Sequence, residues 1–272
     1  MHELPQDSLL QPSARLVFPS AVDRPRRADD LRAVPGRCAN ANLMTHSAFL
    51  HRHPGSIRIK VCCIASIDEA RLALEAGANA IGLVSAMPSG PGVIADDDIA
   101  TIINWVGANA ETVLLTSRLS VDGISAQLRQ CHPSALQICD ALPAGELAII
   151  RQRHPDVMLM PVVHVKGAHS VEDAIHLADG ADAILLDSGN PLARVKELGG
   201  TGRVHDWRTS RAIRDAVSCP FFLAGGLRAD NVADAVHPVG PFGVDVCSGV
   251  RFAGRLDRTM LAEFVVAARA AA

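Results

Sequence analysis

IRIKVCCIASIDEARLALEAGANAIGLV, residues 57–84, decides the fold. It opens on an aliphatic run, IRIKVCCI (57–64), and passes through IDEARLALEAGA (67–78), where Ile, Leu and Ala recur at i, i+3 and i+4. It closes on a second run, NAIGLV (79–84). A short apolar run, a helix-length amphipathic segment and another run make one strand–helix–strand unit with parallel strands. The beat continues through TVLLT (112–116), SALQIC (134–139), VMLMPVV (157–163), DAILLD (182–187), CPFFLA (219–224) and PFGVDV (241–246), eight runs in all. Helical spacing marks 96–107, 121–132, 145–154, 170–181, 206–217, 230–237 and 258–272. Gly77, Gly107 and Gly180 fall near helix ends, and Asp68, Asp96 and Asp97 near helix starts. Eight such units within residues 57–272 predict an α/β fold, a closed (β/α)8 TIM barrel. A doubly wound open sheet is the rival, but no GxGxxG follows the first run.

Composition agrees. Hydrophobic residues make up 49% of the 272-residue chain but aromatics only 3%, so the core is aliphatic, as suits parallel strands buried on both faces. The few rings disfavour a stacking platform for single-stranded nucleic acid. A net charge of −3 supplies no basic field for nucleic acid or an anionic membrane. No apolar run approaches a spanning helix and MHELPQDSLL lacks the order of a secretory signal, so the expectation is a cytoplasmic protein. Seven cysteines, odd in number and without a CxxC pair, argue against a disulfide framework or a zinc ribbon; most are expected to be small core residues.

Residues 1–56 differ from the rest. They hold Pro5, Pro12, Pro19, Pro25, Pro35 and Pro54, the basic knot Arg24-Pro25-Arg26-Arg27, and no sustained period, and are expected to form a flexible, disordered leader. Asp23, Asp29 and Asp30 run against a transit peptide, and a start at Met44 is the alternative. Nothing here sets the oligomeric state.

In such a barrel the active site lies at the C-terminal ends of the strands. These ends carry Cys62-Cys63, Asp187, Gly225-Gly226 and Cys247-Ser248-Gly249, with the loops MPSGPG (87–92) and GGTGRVHDW (199–207) above them. Each has a plain reading: a strand-end Cys packs the core, a strand-end Asp caps the next helix, and Gly-Gly makes a turn. Together they say more. Glycine-bearing loops after the seventh and eighth runs let backbone N–H groups approach phosphate oxygens, which makes a phosphorylated small molecule the expected ligand. Cys62 and Asp187 would face each other over it. A thiol and a carboxyl so placed suit proton transfer from carbon and to oxygen, which is isomerase chemistry. The thiol must be drawn toward thiolate and the carboxyl held protonated. Adjacent strand residues point oppositely, so Cys62 and Cys63 are not expected to share a metal. The histidines, including His51 and His53 in the leader and His164 and His205 near strand ends, read as surface or packing groups.

Lys60-Val61-Cys62, Ala80-Ile81-Gly82-Leu83-Val84, Leu185-Leu186-Asp187-Ser188, Gly199-Gly200-Thr201-Gly202-Arg203, Leu223-Ala224-Gly225-Gly226-Leu227 and Gly243-Val244-Asp245-Val246-Cys247-Ser248-Gly249-Val250 come in one order and spacing. As a set they resemble the phosphoribosylanthranilate isomerase family of tryptophan biosynthesis. The resemblance implies a (β/α)8 barrel and an Amadori rearrangement of N-(5-phosphoribosyl)anthranilate, an aldose–ketose isomerisation, without metal or organic cofactor. It implies Cys62 as general base and Asp187 as general acid. It also implies phosphate contacts from Gly225, Gly226, Ser248 and Gly249, and a pocket lined by Asp245 and Gln137. The partner would be a phosphorylated sugar-amine.

The chain departs from that pattern. Cys63 replaces the family's glycine after the cysteine, and Ala65 its threonine. The loop after the second run lacks the arginine that meets the anthranilate carboxylate. Strand four ends Gln137-Ile138-Cys139-Asp140 without the usual His-Gly, and Arg251 stands where the family has Glu. A divergent member is expected, with Arg251 or Arg203 as a replacement clamp. The alternatives are a different phosphoribosyl amine as substrate, or sugar-phosphate binding without catalysis.

Overall fold

The computed structural model describes residues 49–50 and 56–272. Eight parallel strands close into one barrel in sequence order: β1 (Arg58–Val61), β2 (Ala80–Val84), β3 (Glu111–Thr116), β4 (Ala135–Ile138), β5 (Met158–His164), β6 (Ile184–Asp187), β7 (Phe221–Leu223) and β8 (Gly243–Val246). β1 pairs with β8, Lys60 opposite Asp245 and Val61 opposite Val246, which removes both edges. Helices α1 (Ile67–Glu75), α2 (Asp96–Val106), α3 (Val121–Cys131), α4 (Glu146–Arg153), α5 (Ser170–Ala178), α6 (Trp207–Ala216), α7 (Val232–Val239) and α8 (Arg258–Ala270) follow the strands in turn. Two elements escaped the sequence reading. A 3₁₀ turn at Ser248–Val250 and a hairpin of β9 (Arg251–Phe252) with β10 (Arg255–Leu256) sit between β8 and α8.

Local chemistry sets the helix starts. Ser66 accepts from the Glu69 N–H at 3.2 Å, Asp206 from the Arg208 N–H at 3.0 Å and Asp257 from the Met260 N–H at 2.9 Å. Each such cap is worth about 1 kcal/mol. Asp187, a cap candidate by sequence, does not cap α6; Asp206 does.

Period-two alternation divides the core. Ile59, Val61, Ile81, Leu83, Leu114, Leu136, Leu186 and Val244 face the helices, while Ala80, Val113, Leu115, Met158, Met160, Leu185 and Phe222 fill the barrel. Lys60, Gln137, Asp187 and Asp245 share the interior parity and are all buried. At the opposite end from the strand C-termini, Phe222 closes the floor. Only Gly243 leaves room for it, since a Cβ there would lie 2.4 Å from the Phe222 ring.

Residues 1–48 and 51–55, most of the stretch read as a leader, lie outside the described residues, as do Met44, His51 and His53. Phe49, inside that stretch, is buried. Its ring stacks on Phe222 at 6.0 Å, meets Phe242 edge-on at 6.3 Å, and its carbonyl accepts from Arg58 Nε. Among the described residues no helix is long and apolar enough to cross a membrane.

Candidate active site

One cavity opens at the C-terminal ends of the strands, with about 660 Å³ of empty space that includes the open solvent at its mouth. Cys62, Asp187, Gln137, Asp245, Gly225, Gly226 and Ser248 all line it. Gly249 does not line it. It lies behind the wall, where a Cβ would come within 1.9 Å of the Leu227 carbonyl oxygen, so it is needed to seat the β8 turn against the β7 loop. Gly226 has φ +61°, and a Cβ there would stand 2.7 Å from the Arg203 carbonyl carbon. The loops after β6, β7 and β8 are thus packed backbone to backbone, leaving peptide groups at the cavity wall. Such a wall suits an anion better than a side-chain wall would.

The polar floor begins with Lys60. Its ammonium is fully buried, 3.0 Å from Asp245 Oδ1. Burial works against that charge, but Asp245 and Cys62 overcome it and raise the lysine above its ordinary value. Asp245 itself is raised by burial, with Lys60 opposing. The sequence reading quoted Lys60 but gave it no role, although its i, i+2 spacing to Cys62 on one strand places both on one face. Gly82 makes space for the pair: a Cβ there would lie 2.8 Å from Cys62 Sγ and 3.1 Å from Lys60 Nζ.

Cys62 follows β1 directly, anchored by its N–H to the Val246 carbonyl at 2.8 Å. Its thiol is shifted toward the charged form: the adjoining Cys63 thiol lowers its pKa most, burial opposes, and the Lys60 charge adds to the lowering. Asp187, the last residue of β6, is shifted the other way. Burial holds its carboxyl protonated to higher pH and the nearby Asp245 charge reinforces this, against the Ser188 N–H that it accepts at 2.7 Å. Gln137 donates through Nε2 to Cys139 Sγ at 3.5 Å, while its buried Oε1 has no partner among the described residues. His164 and His205 do pack, His164 donating through Nε2 to the Cys139 carbonyl and His205 Nε2 lying 2.7 Å from Ser210 Oγ.

Three expectations need correction. Both vicinal thiols reach the cavity: Cys63 lies beyond the end of β1 with φ +63°, and this left-handed backbone breaks the strand alternation. Cys63 and Cys247 are therefore wall residues, with their Sγ atoms 2.6 Å apart, and not plain core packing. Neither proposed arginine clamp lines the cavity. Arg251 is engaged in another task, half-buried and bonded to Glu69 on α1 at 2.9 Å and to the Cys63 carbonyl at 2.5 Å, so it fixes the turn that carries both cysteines. Arg203 pairs with Glu197. No Arg or Lys is among the described residues of the cavity wall.

The roof comes from two loops. Ser89 Oγ donates to the Lys196 carbonyl at 2.5 Å, and Pro91 seats on Gly200, where a Cβ would be 2.7 Å from the proline ring. The loop after β2 thereby bridges to the loop after β6, over the thiols.

A family model described as N-(5'phosphoribosyl)anthranilate (PRA) isomerase matches residues 59–267. A Methanosarcina mazei protein named N-(5'-phosphoribosyl)anthranilate isomerase 1 is 32% identical over 227 residues, 79% of this chain and 95% of that one. The Halobacterium salinarum N-(5'-phosphoribosyl)anthranilate isomerase is 35% identical over 215 residues, 78% of this chain and 96% of its own. A crystal structure of phosphoribosyl anthranilate isomerase with reduced 1-(o-carboxyphenylamino)-1-deoxyribulose 5-phosphate superposes with a TM-score of 0.67. It is 25% identical, covering 79% of this chain and all of that one. With an eight-stranded barrel and one cavity that gathers Cys62, Asp187 and the glycine loops, the chain belongs to the N-(5'-phosphoribosyl)anthranilate isomerase family.

Proposed function

We propose that the chain isomerises N-(5'-phosphoribosyl)anthranilate to the 1-deoxyribulose 5-phosphate, with Asp187 as general acid and Cys62 as general base. The observation that carries the assignment of roles is the opposite shift of the two groups on one cavity wall, the thiol toward its charged form and the carboxyl toward its neutral one. Protonated Asp187 gives its proton to the ribose ring oxygen as the bond from that oxygen to C1 breaks, and the amine lone pair forms a C1–N iminium. The Cys62 thiolate then takes the C2 proton, and the released electron pair neutralises the iminium as an enolamine. Return of that proton from the Cys62 thiol to C1, as the C2 hydroxyl gives up its own proton to the Asp187 carboxylate, yields the ketose and restores both groups. Each proton transfer is worth roughly 10²–10⁴-fold in rate. The phosphate would rest against Gly225, Gly226 and Ser248, and Gln137 Oε1 is free to accept from a sugar hydroxyl.

The aglycone end sets this chain apart, because no Arg or Lys among the described residues of the wall is there to face the anthranilate carboxylate. A buried charge clamp would be worth about 2–5 kcal/mol. Complementation of a tryptophan auxotroph lacking this isomerase tests the reaction; failure with soluble, well-expressed protein refutes it. Kinetics of Cys62→Ala and Asp187→Asn test the roles, and turnover unchanged in both refutes them. Comparing kcat/KM for phosphoribosylanthranilate and for the phosphoribosyl amine of aniline tests the aglycone end. The two are expected to lie within about tenfold of each other, the discrimination of about 1.4 kcal/mol left without a clamp.

A further inference from the structure

Two of the wall thiols take no part in the proton transfers above, and both stand at the junction of neighbouring strands. Cys63 ends the β1 turn and Cys247 ends β8; the strands pair as far as Val61 opposite Val246. The left-handed backbone of Cys63 turns its sulfur toward Cys247, and Gly92 of the roof loop closes behind it, since a Cβ on Gly92 would lie 2.5 Å from the Cys63 Cβ. Cys247 donates to Cys63 across 2.6 Å although 184 residues separate them in sequence. Arg251 holds the Cys63 carbonyl in place from below. Among the described residues no three ligating side chains are grouped to hold a metal ion. Cys247 is half-buried, so a small oxidant can reach it from the cavity, whereas Cys63 is buried. The geometry is that of two thiols already in contact on rigid, hydrogen-bonded elements, which is what disulfide closure requires.

We propose that Cys63 and Cys247 are a redox-modification site, closing to a reversible disulfide at the β1–β8 seam of the active-site wall. The oxidant is a hydroperoxide. The Cys247 thiolate attacks the peroxide O–O bond, giving a sulfenic acid and an alcohol or water; the Cys63 thiol attacks that sulfur, forming the S–S bond and releasing water. Two thiols lose two electrons and two protons, and the peroxide oxygen is reduced. A dithiol reverses the step by exchange. The consequence for turnover rests on the reading of Cys62 as base. Cys63 and Cys247 line the same wall as Cys62, and a Cys63 sulfur held in a disulfide has no thiol proton left to offer the Cys62 thiolate. Loss of a hydrogen bond to a charged group corresponds to a fall in kcat/KM of about tenfold or more at neutral pH.

The test uses the full chain treated with hydrogen peroxide, then alkylated, digested and examined by mass spectrometry, with kcat/KM followed in parallel. A cross-link between the Cys63 and Cys247 peptides should accumulate in step with the fall in kcat/KM, and dithiothreitol should reverse both. Cys247→Ser, judged against its own reduced activity, should form no cross-link at Cys63. If both thiols stay alkylatable after the activity has gone, or if the cross-link joins Cys62 to Cys63, the proposal is overturned. A Cys63–Cys247 cross-link with unchanged kcat/KM would uphold the dithiol site and refute instead the support that Cys63 lends to Cys62.

Discussion

Replacing Lys60 by methionine keeps a straight, unbranched side chain and deletes the buried ammonium beneath the cavity. In the native barrel that ammonium is fully buried and lies 3.0 Å from Asp245 Oδ1, whose own side chain is 9% exposed. Removing one partner of such a pair leaves a buried carboxylate without compensation, at about 3–5 kcal/mol. For a domain of this size about 2–4 °C of Tm goes with each kcal/mol, so a fall of roughly 6–20 °C is expected. The double variant Lys60→Met/Asp245→Leu exchanges the pair for apolar groups and should recover most of the loss. pH supplies the sign. In Lys60→Met, Asp245 has a folded pKa raised still further, so its penalty is absent below the ordinary carboxylate range and grows as pH rises toward the folded value. Urea unfolding of the single and double variants at several pH values measures all of this. A single-variant loss under about 1 kcal/mol, or a double-variant loss equal to the sum of the singles, would refute the claim that this ion pair supports the floor. Activity gives a second readout: Cys62 loses a positive neighbour, so the limb of the kcat/KM profile that reports its deprotonation should move to higher pH.

Other outcomes follow from the same geometry. Asp187→Asn should lose turnover by roughly 10²–10⁴-fold yet be more stable than the parent at pH 7. The raised folded pKa of Asp187 means its contribution falls as pH climbs through that value, and an amide removes the burden; unfolding curves at pH 4 and pH 7 would show the difference closing at the lower pH. Gly82→Ala puts a methyl 2.8 Å from Cys62 Sγ, and should cost about 1–3 kcal/mol in stability while lowering kcat more than it raises KM. Phe49→Ala should cost about 3–5 kcal/mol by opening the floor against Phe222 and Phe242. A chain starting at Met44 keeps Phe49 and should melt with the parent, which calorimetry would check.

The strand ends were legible because the barrel makes them so. Once 57–84 is read as strand–helix–strand, period two and the direction of the chain say which residue of each run comes last and which face it shares. Cys62 and Asp187 were found that way, Gln137 and Asp245 came only with the family resemblance, and all four line one cavity. Lys60 was missed though the same alternation reaches it, because a lysine on a strand is usually read as solvent-facing and only closure of β1 on β8 supplies its carboxylate. Gly249 was placed on the wall from its loop chemistry, whereas the close approach of Leu227 sets it behind. Phe49 carries no periodic neighbours to mark it, and its place is fixed by two rings more than 170 residues away.

The sequence by itself determined the barrel, since hydrophobic periodicity and chain order are local properties that any folded state must honour. It also determined the candidate acid and base, because strand direction alone carries them to one mouth. What only the tertiary structure decided is how the wall is built around them. The left-handed turn of Cys63, the contact of its thiol with Cys247, the withdrawal of Arg251 to Glu69 and the Lys60–Asp245 pair all join residues distant in sequence. Such pairings depend on closure of the ring and the exact fit of three loops, which no periodicity encodes.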